Sequence, residues 1–127
     1  MSKLDLSGSW LFRHWYPSSD DSKEESVEYT MDAHQEGDHV TLESKGTDHK
    51  EGYVFVRLTI DGLVATGSWH ENARMDGPFG GAMYSGAGQL IISKDKRHME
   101  GMWAGAGMDH KANKPRIYTG RWEFIKL

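Results

Sequence analysis

The chain has 127 residues, of which 37% are hydrophobic, and it carries a net charge of −4 with histidine neutral. This length predicts one domain, spanning residues 1–127. The chain has no cysteine, which excludes disulfides, zinc–thiolate sites and a cysteine nucleophile. It has no strongly basic patch, which argues against direct contact with nucleic acid. It also shows no apolar run typical of a signal peptide or membrane span, so we expect a cytoplasmic protein with no membrane partner.

Apolar and polar residues alternate along most of the chain, and no window indicates a helix. The alternation predicts about eight strands: Gly8–Tyr16, Ser26–His34, His39–Ser44, Tyr53–Ile60, Leu63–Glu71, Ala82–Ser93, His98–Gly107 and Arg116–Ile125. Short sequential strands with hairpin spacing favour an all-β fold, an eight-stranded antiparallel up-and-down, calycin-like barrel. A β-sandwich with Greek-key connections is the alternative.

Turn residues separate these runs. Asp61-Gly62 fits a two-residue type I′ hairpin, in which both central residues need positive φ. Further turns are predicted at Glu36–Asp38 and Lys94–Arg97, and longer polar connections at Pro17–Glu25, Gly46–Gly52 and Met108–Pro115. The glycine-rich stretch "ENARMDGPFGG", residues 71–81, is predicted to form a lid over one mouth of the barrel.

Four of the five tryptophans share a Gly-x-Trp frame: Gly8 with Trp10, Gly67 with Trp69, Gly101 with Trp103, and Gly120 with Trp122. Residues two apart on a strand lie on the same face. A missing side chain next to the largest one is a way of filling the interior of a tapering barrel. We therefore expect these tryptophans to point inward.

The inward frame predicts an aromatic-lined lumen that binds a small apolar or aromatic ligand. Its predicted lining is Trp10, Phe12, His14, Tyr16, Tyr29, Trp69, Glu71, Tyr84, Trp103 and Trp122. An eight-stranded barrel is just wide enough to hold one small ligand or to be filled by side chains. In the second case the chain is a protein-interaction or assembly module, with a partner such as a regulator.

The His70-Glu71 pair invites a catalytic interpretation, but strand alternation places the two side chains on opposite faces. Glu71 is expected at the mouth of the barrel, His14 inside, and His70 in solvent. Arg57 either faces in with Tyr53 and Phe55 or is exposed while the aliphatic residues of its strand face in. The purer aliphatic face favours the exposed position.

Familiar catalytic motifs are absent, including a Gly-x-Ser-x-Gly elbow, a phosphate-binding glycine loop, a dinucleotide fingerprint and a His-Glu-x-x-His zinc motif. We therefore predict no catalysis, no catalytic residues and no cofactor or metal. A haem- or metal-binding barrel using His14 or His70, and a small enzyme that depends on Glu71, are the remaining alternatives.

Four segments, "LSGSWLFRHWYPSSD", "VRLTIDGLVATGSWHE", "GAMYSGAGQLIISKDKRHMEGMWAGAG" and "GRWEF", resemble the C-terminal barrel-like region of actinobacterial helix-turn-helix (XRE-type) regulators. The strand count and the Gly-x-Trp frame also resemble the calycin group, which includes lipocalins, fatty-acid-binding proteins and avidins. The first resemblance covers about Leu6 to Phe124 and implies a sensor barrel attached to a DNA-binding domain. This chain shows no N-terminal helix-turn-helix, so we expect a role at DNA to require a separate partner or a lost domain. No catalytic residue is carried over from the resemblance.

Overall fold

The computed structural model describes residues 5–17, 24–44, 53–72, 83–109 and 112–127. These ranges contain eight strands: β1 (Gly8–Pro17), β2 (Glu24–Glu36), β3 (His39–Ser44), β4 (Tyr53–Asp61), β5 (Val64–Asn72), β6 (Met83–Ile92), β7 (His98–Asp109) and β8 (Lys114–Lys126). Each strand pairs antiparallel with the next, and β8 pairs back onto β1 with Phe124 opposite Phe12. The up-and-down barrel prediction is confirmed. The sandwich alternative is wrong, because sequential pairing closes a single sheet.

The strands occupy the predicted runs but differ at their ends. β2 begins at Glu24 and β8 at Lys114, inside segments predicted as connections, because Pro17 pairs with Glu24 and Met108 with Pro115. Proline is tolerated at these positions because both are close to a strand end, where few ladder hydrogen bonds are lost. The connection at residues 46–52 lies outside the described residues, as does the predicted lid from residue 73 onward.

The hairpin between β4 and β5 differs from the predicted turn. Asp61 pairs with Val64, so the central residues are Gly62 and Leu63 instead of Asp61 and Gly62. Gly62 has φ of 63° and no positive φ is recorded at Leu63. A single positive φ at a glycine in the first central position is the requirement of a type II′ turn, so the type I′ prediction is wrong. The turns at Glu36–Asp38 and Lys94–Arg97 occur as predicted.

The two ends of the barrel differ in how they are filled. We call the end with Gly8, Glu36, His39 and Asp61 the lower end, and the end with Ser44, Tyr53 and Asn72 the upper end. Inward side chains in the lower half are almost fully buried: Leu6, Trp10, Met31, Val40, Leu58, Ala65, Leu90, Met99 and Phe124 are at most 2% exposed. Burial of this kind of apolar surface is the main stabilising contribution to the fold.

The orientation of β4 follows its aliphatic side chains. Val54, Val56 and Leu58 are buried on the inner face, while Arg57 is exposed on the outer wall. The guanidinium of Arg57 lies 5.3 Å from the ring centroid of Phe55, its neighbour on the same outer face. The interpretation of Arg57 as an exposed residue is therefore confirmed, and its charge lies outside the lumen.

The four Gly-x-Trp tryptophans face inward, but the space for the rings of Trp69, Trp103 and Trp122 comes from glycines on other strands. A side chain at Gly88 of β6 would approach the Trp122 indole of β8, and one at Gly120 would lie 2.7 Å from Trp103 Nε1. Likewise, a side chain at Gly86 would lie 2.8 Å from the Trp69 ring. The glycines therefore act across the sheet, and not chiefly along the strand as the sequence frame suggested.

We expect Gly88→Ala to lower the free energy of unfolding by about 2 kcal/mol, because overpacking a filled core forces side chains and backbone apart. The new Cβ would lie 2.7 Å from the Met102 carbonyl oxygen, a backbone atom with little freedom to move. Where space allows, Gly→Ala usually raises the free energy of unfolding, so a decrease would indicate overpacking. Urea unfolding measures the change, and Ala87→Ser, at the exposed neighbouring position, should remain near wild type. An unchanged midpoint in Gly88→Ala would contradict this packing.

Candidate functional site

The upper half of the lumen brings together seven of the ten residues predicted as ligand lining. We call this set the upper cluster; it comprises His14, Tyr16, Tyr29, Trp69, Glu71, Tyr84 and Trp103. Six of the seven are only half-buried, and Trp103 is 9% exposed. This partial exposure contrasts with the filled lower half, so the inner face of the described barrel is less completely buried towards its upper end.

The other three predicted lining residues lie deeper. Phe12 is 3% exposed and Trp122 is 1% exposed, and their rings meet edge-on with centroids 6.4 Å apart. They form the floor beneath the upper cluster. Trp10 is fully buried near the lower end, where its indole Nε1 donates to the Leu6 carbonyl oxygen at 2.7 Å. Trp10 thus supports the floor from below and lies apart from the upper cluster.

His14 is the centre of the ring contacts in the upper cluster. Its imidazole stacks on Phe12 at 5.2 Å between centroids and lies nearly parallel to Tyr29, at 6.4 Å and 9°. Trp103 meets it edge-on at 6.5 Å. The arrangement follows from the register, since Phe12 pairs with Tyr29 and His14 with Val27 on the adjacent strand. Such ring pairs stabilise beyond the area they bury.

Burial lowers the pKa of His14 from 6.5 to about 4, because the apolar rings around it disfavour the charged imidazolium. His14 is therefore neutral at pH 7, with one ring nitrogen a donor and the other an acceptor. A neutral imidazole presents a flat, polar face to the lumen and adds no positive charge.

Two of the tryptophans use their indole N–H to tie together strands that are not adjacent. Trp103 on β7 spans Gly120 of β8 and donates to the Trp15 carbonyl oxygen of β1 at 2.9 Å. Trp122 on β8 donates to the Gln89 carbonyl oxygen of β6 at 3.2 Å. Each bond gives a buried N–H group an acceptor and links two strands that are separated by a third.

Trp69 has a similar position but lacks the corresponding bond. Its ring lies over Gly86 of β6 and Gly105 of β7, and it meets Trp103 edge-on with centroids 5.6 Å apart. Its Nε1 is buried and, within the described part of the chain, has no hydrogen-bond partner. An unpaired buried donor costs about 2 kcal/mol, and native proteins leave few of them.

Glu71 lies opposite Tyr84 across the β5–β6 pair. Burial raises the pKa of the Glu71 carboxyl. Burial also raises the pKa of Tyr84, and the Glu71 carboxylate adds to that shift. The pKa of Tyr16 is raised by burial, then by a hydrogen bond to Glu25 and the charge of Glu25, and least by the charge of Glu71. Within the described residues, no positive charge lowers the pKa of Glu71. The described mouth of the upper lumen therefore presents the Glu71 carboxylate beside Tyr84 and a second carboxylate, Glu25, hydrogen-bonded to Tyr16.

Sequence reasoning missed three contributors to the upper lumen: Tyr118, Gly86 and Gly105. Tyr118 of β8 packs against the core, and the Arg116 guanidinium lies 4.6 Å from the centroid of its ring. Alternation could have found Tyr118, because it shares its face with Gly120 and Trp122. Gly86 and Gly105 provide the flat surface on which Trp69 lies, and no pattern along one strand signals that role.

His70 is exposed on the outer face of β5, as predicted, and is separated from the face of Glu71 by alternation. The described residues contain one group with metal-ligand geometry, His98, Glu100 and Glu123, whose donor atoms lie within 4.8 Å of one another on the outer wall. Glu123 already accepts from Arg13 Nη1 at 3.1 Å and contacts His98 Nε2 at 3.0 Å. Neither His14 nor His70 belongs to this group.

No protein-family model matches the chain, and no curated protein matches it. Within the described ranges, no helix has the length and apolar character needed to cross a membrane.

Proposed function

We propose that the protein is a small-molecule-binding barrel that serves as a sensor, with its ligand in the upper lumen. The observation that carries the proposal is the Trp69 indole N–H, which is buried without a partner among the described residues, beside a half-exposed aromatic wall. A ligand oxygen that accepts this N–H supplies the missing hydrogen bond. Binding in this way stabilises the folded state, as any ligand specific for it does.

The upper cluster has the composition of a small-molecule site: mostly apolar and aromatic walls with a few polar groups that fix orientation. Neutral His14, Tyr29 and Trp103 provide ring faces against which a planar or apolar ligand packs. Phe12 and Trp122 are buried beneath the upper cluster, so we expect the ligand to enter from the upper end. In this proposal the side chains of the upper cluster recognise and orient a ligand, and none of them has a catalytic role.

The resemblance to regulator barrels supports a sensing role in the cytoplasm. In that role the barrel reports ligand occupancy to a separate regulatory protein, which makes any contact with DNA. The net charge of −4 agrees with this division, since the barrel itself has little to attract phosphates.

The indole N–H resonances of the five tryptophans provide the test, with phenol and benzyl alcohol as probes. We expect the Trp69 resonance to move on titration, because the probe hydroxyl oxygen accepts its unpaired proton. Trp10 is the internal control, since it already donates to Leu6 at the other end of the barrel. Unchanged spectra with both probes, or equal movement of Trp10 and Trp69, would contradict the proposal.

A second candidate function, a protein-interaction module, is favoured by the filled lower half and by apolar side chains on the outer wall. Ile91, Met102 and Ile117 project from β6, β7 and β8 and are each more than half exposed. In this case the same titration leaves all indole resonances in place, and Ile91→Lys disrupts capture of a protein partner without altering the fold.

A further inference from the structure

The mouth of the upper lumen combines an uncompensated carboxylate with electron-rich rings. Glu71 lies half-buried beside Tyr84, and no ion pair joins it to a described lysine or arginine. Elsewhere on the barrel carboxylates do have cationic partners: Glu28 and Glu123 both contact Arg13, at 3.2 and 3.1 Å. Glu71, unlike Glu28 and Glu123, has no described cationic partner.

We propose that the ligand of the upper lumen is a small organic cation, held with its ammonium group against Glu71 and the rings of Tyr16, Tyr84 and Trp69. This inference rests on the proposed function, since it specifies the ligand of the same site. Aromatic faces attract cations through the ring quadrupole, most strongly where water is excluded. A carboxylate among such rings supplies the formal counter-charge.

The described charges around the site agree with a cationic ligand. His14 faces the lumen in its neutral form, so it does not repel an ammonium group. Burial raises the pKa of Glu71, and no described cation offsets that shift; a bound cation would lower the pKa again. Arg116 contacts the ring of Tyr118 on β8, three strands from Glu71 around the barrel.

Trp69 adds a second requirement on the ligand. Its indole donates a hydrogen bond and cannot accept one, so it selects an oxygen or another acceptor on the ligand. Glu71 and Trp69 are two residues apart on the inner face of β5. A compact molecule that carries an ammonium group near a hydroxyl or carbonyl oxygen, as an amino alcohol does, can meet both groups at once.

The test compares three probes that share a benzene ring and differ in charge: cationic benzyltrimethylammonium, neutral benzyl alcohol and anionic benzoate. Tryptophan fluorescence titrations at pH 7 measure the three affinities in the wild type, in Glu71→Gln and in Glu36→Gln, a matched control at the lower hairpin. We expect the wild type to bind benzyltrimethylammonium about tenfold more tightly than benzyl alcohol, with benzoate the weakest.

We expect Glu71→Gln to lose about tenfold in affinity for the cation while keeping its affinity for benzyl alcohol, because only the charge is removed. Glu36→Gln should behave as wild type. Glu71→Gln should be at least as stable as wild type at pH 7, because it removes a buried carboxylate, so loss of fold does not explain the result. Equal affinities for the three probes in the wild type would overturn the cation inference but leave the proposed function standing. Failure of all three probes to bind would overturn both.

Discussion

Between pH 7 and pH 4, the free energy of unfolding should fall by about 3 kcal/mol less in the His14→Phe variant than in the wild type. The unfolded chain binds a proton at His14 near pH 6.5, whereas burial holds the pKa in the folded barrel at about 4. The contribution of neutral His14 is therefore complete above pH 6.5 and is lost as the pH falls towards 4. Phenylalanine has a similar ring, keeps the stacking on Phe12 and Tyr29, and does not titrate.

Urea unfolding at pH 7 and pH 4 measures this effect as a difference between the two proteins. The raised pKa of Glu71 acts in the opposite direction, favouring the fold as the pH falls, but it is common to both proteins and cancels in the difference. His70→Gln, at an exposed position on the same barrel, should retain the wild-type profile. If His14→Phe loses as much stability in acid as wild type, His14 is not buried in the barrel as described.

Trp122→Ala should lower the free energy of unfolding by about 4 kcal/mol, near the usual cost of deleting a buried large aromatic side chain. Trp122 is 1% exposed and meets both Phe12 and Phe124 edge-on, at 6.4 and 5.8 Å. Its N–H also donates to Gln89. The deletion therefore opens a cavity under the upper lumen and leaves the Gln89 carbonyl without this donor.

A loss of this size approaches the whole stability of a small domain, so Trp122→Phe provides a milder companion, with an expected loss of about 2 kcal/mol. Trp15→Ala is the matched control. Trp15 projects outward from β1, where Arg121 lies 4.3 Å from its ring centroid, and such exposed contacts contribute about 1 kcal/mol. Equal losses for Trp122→Ala and Trp15→Ala would contradict the assignment of the inner face.

The sequence was informative wherever the direction of a side chain follows from alternation along a single strand. Alternation separated His70 from Glu71, favoured an exposed Arg57 and turned the Gly-x-Trp tryptophans inward, and the barrel agrees on each point. These inferences succeed because a strand gives each residue one of two faces. The hairpin at Gly62 was the exception, since one residue of register changes the turn type.

Features that depend on packing across strands could not be read from the chain. The indole of Trp103 finds its acceptor at Trp15, which is 88 residues away in sequence. Whether an indole N–H has such an acceptor depends on which glycine of a neighbouring strand the ring covers. It also depends on which backbone carbonyl then lies within hydrogen-bond distance. The unpaired N–H of Trp69 is therefore visible only in the folded barrel, although its inward direction was predicted.

The central claim is that the upper lumen binds a small molecule, and intermolecular nuclear Overhauser effects from bound benzyl alcohol test it most directly. We predict contacts from the ligand ring protons to His14, Tyr84 and the Trp69 indole, with none to Trp10 or to Ile91 on the outer wall. Contacts confined to the outer wall, or a probe that binds without touching the upper cluster, would contradict the account.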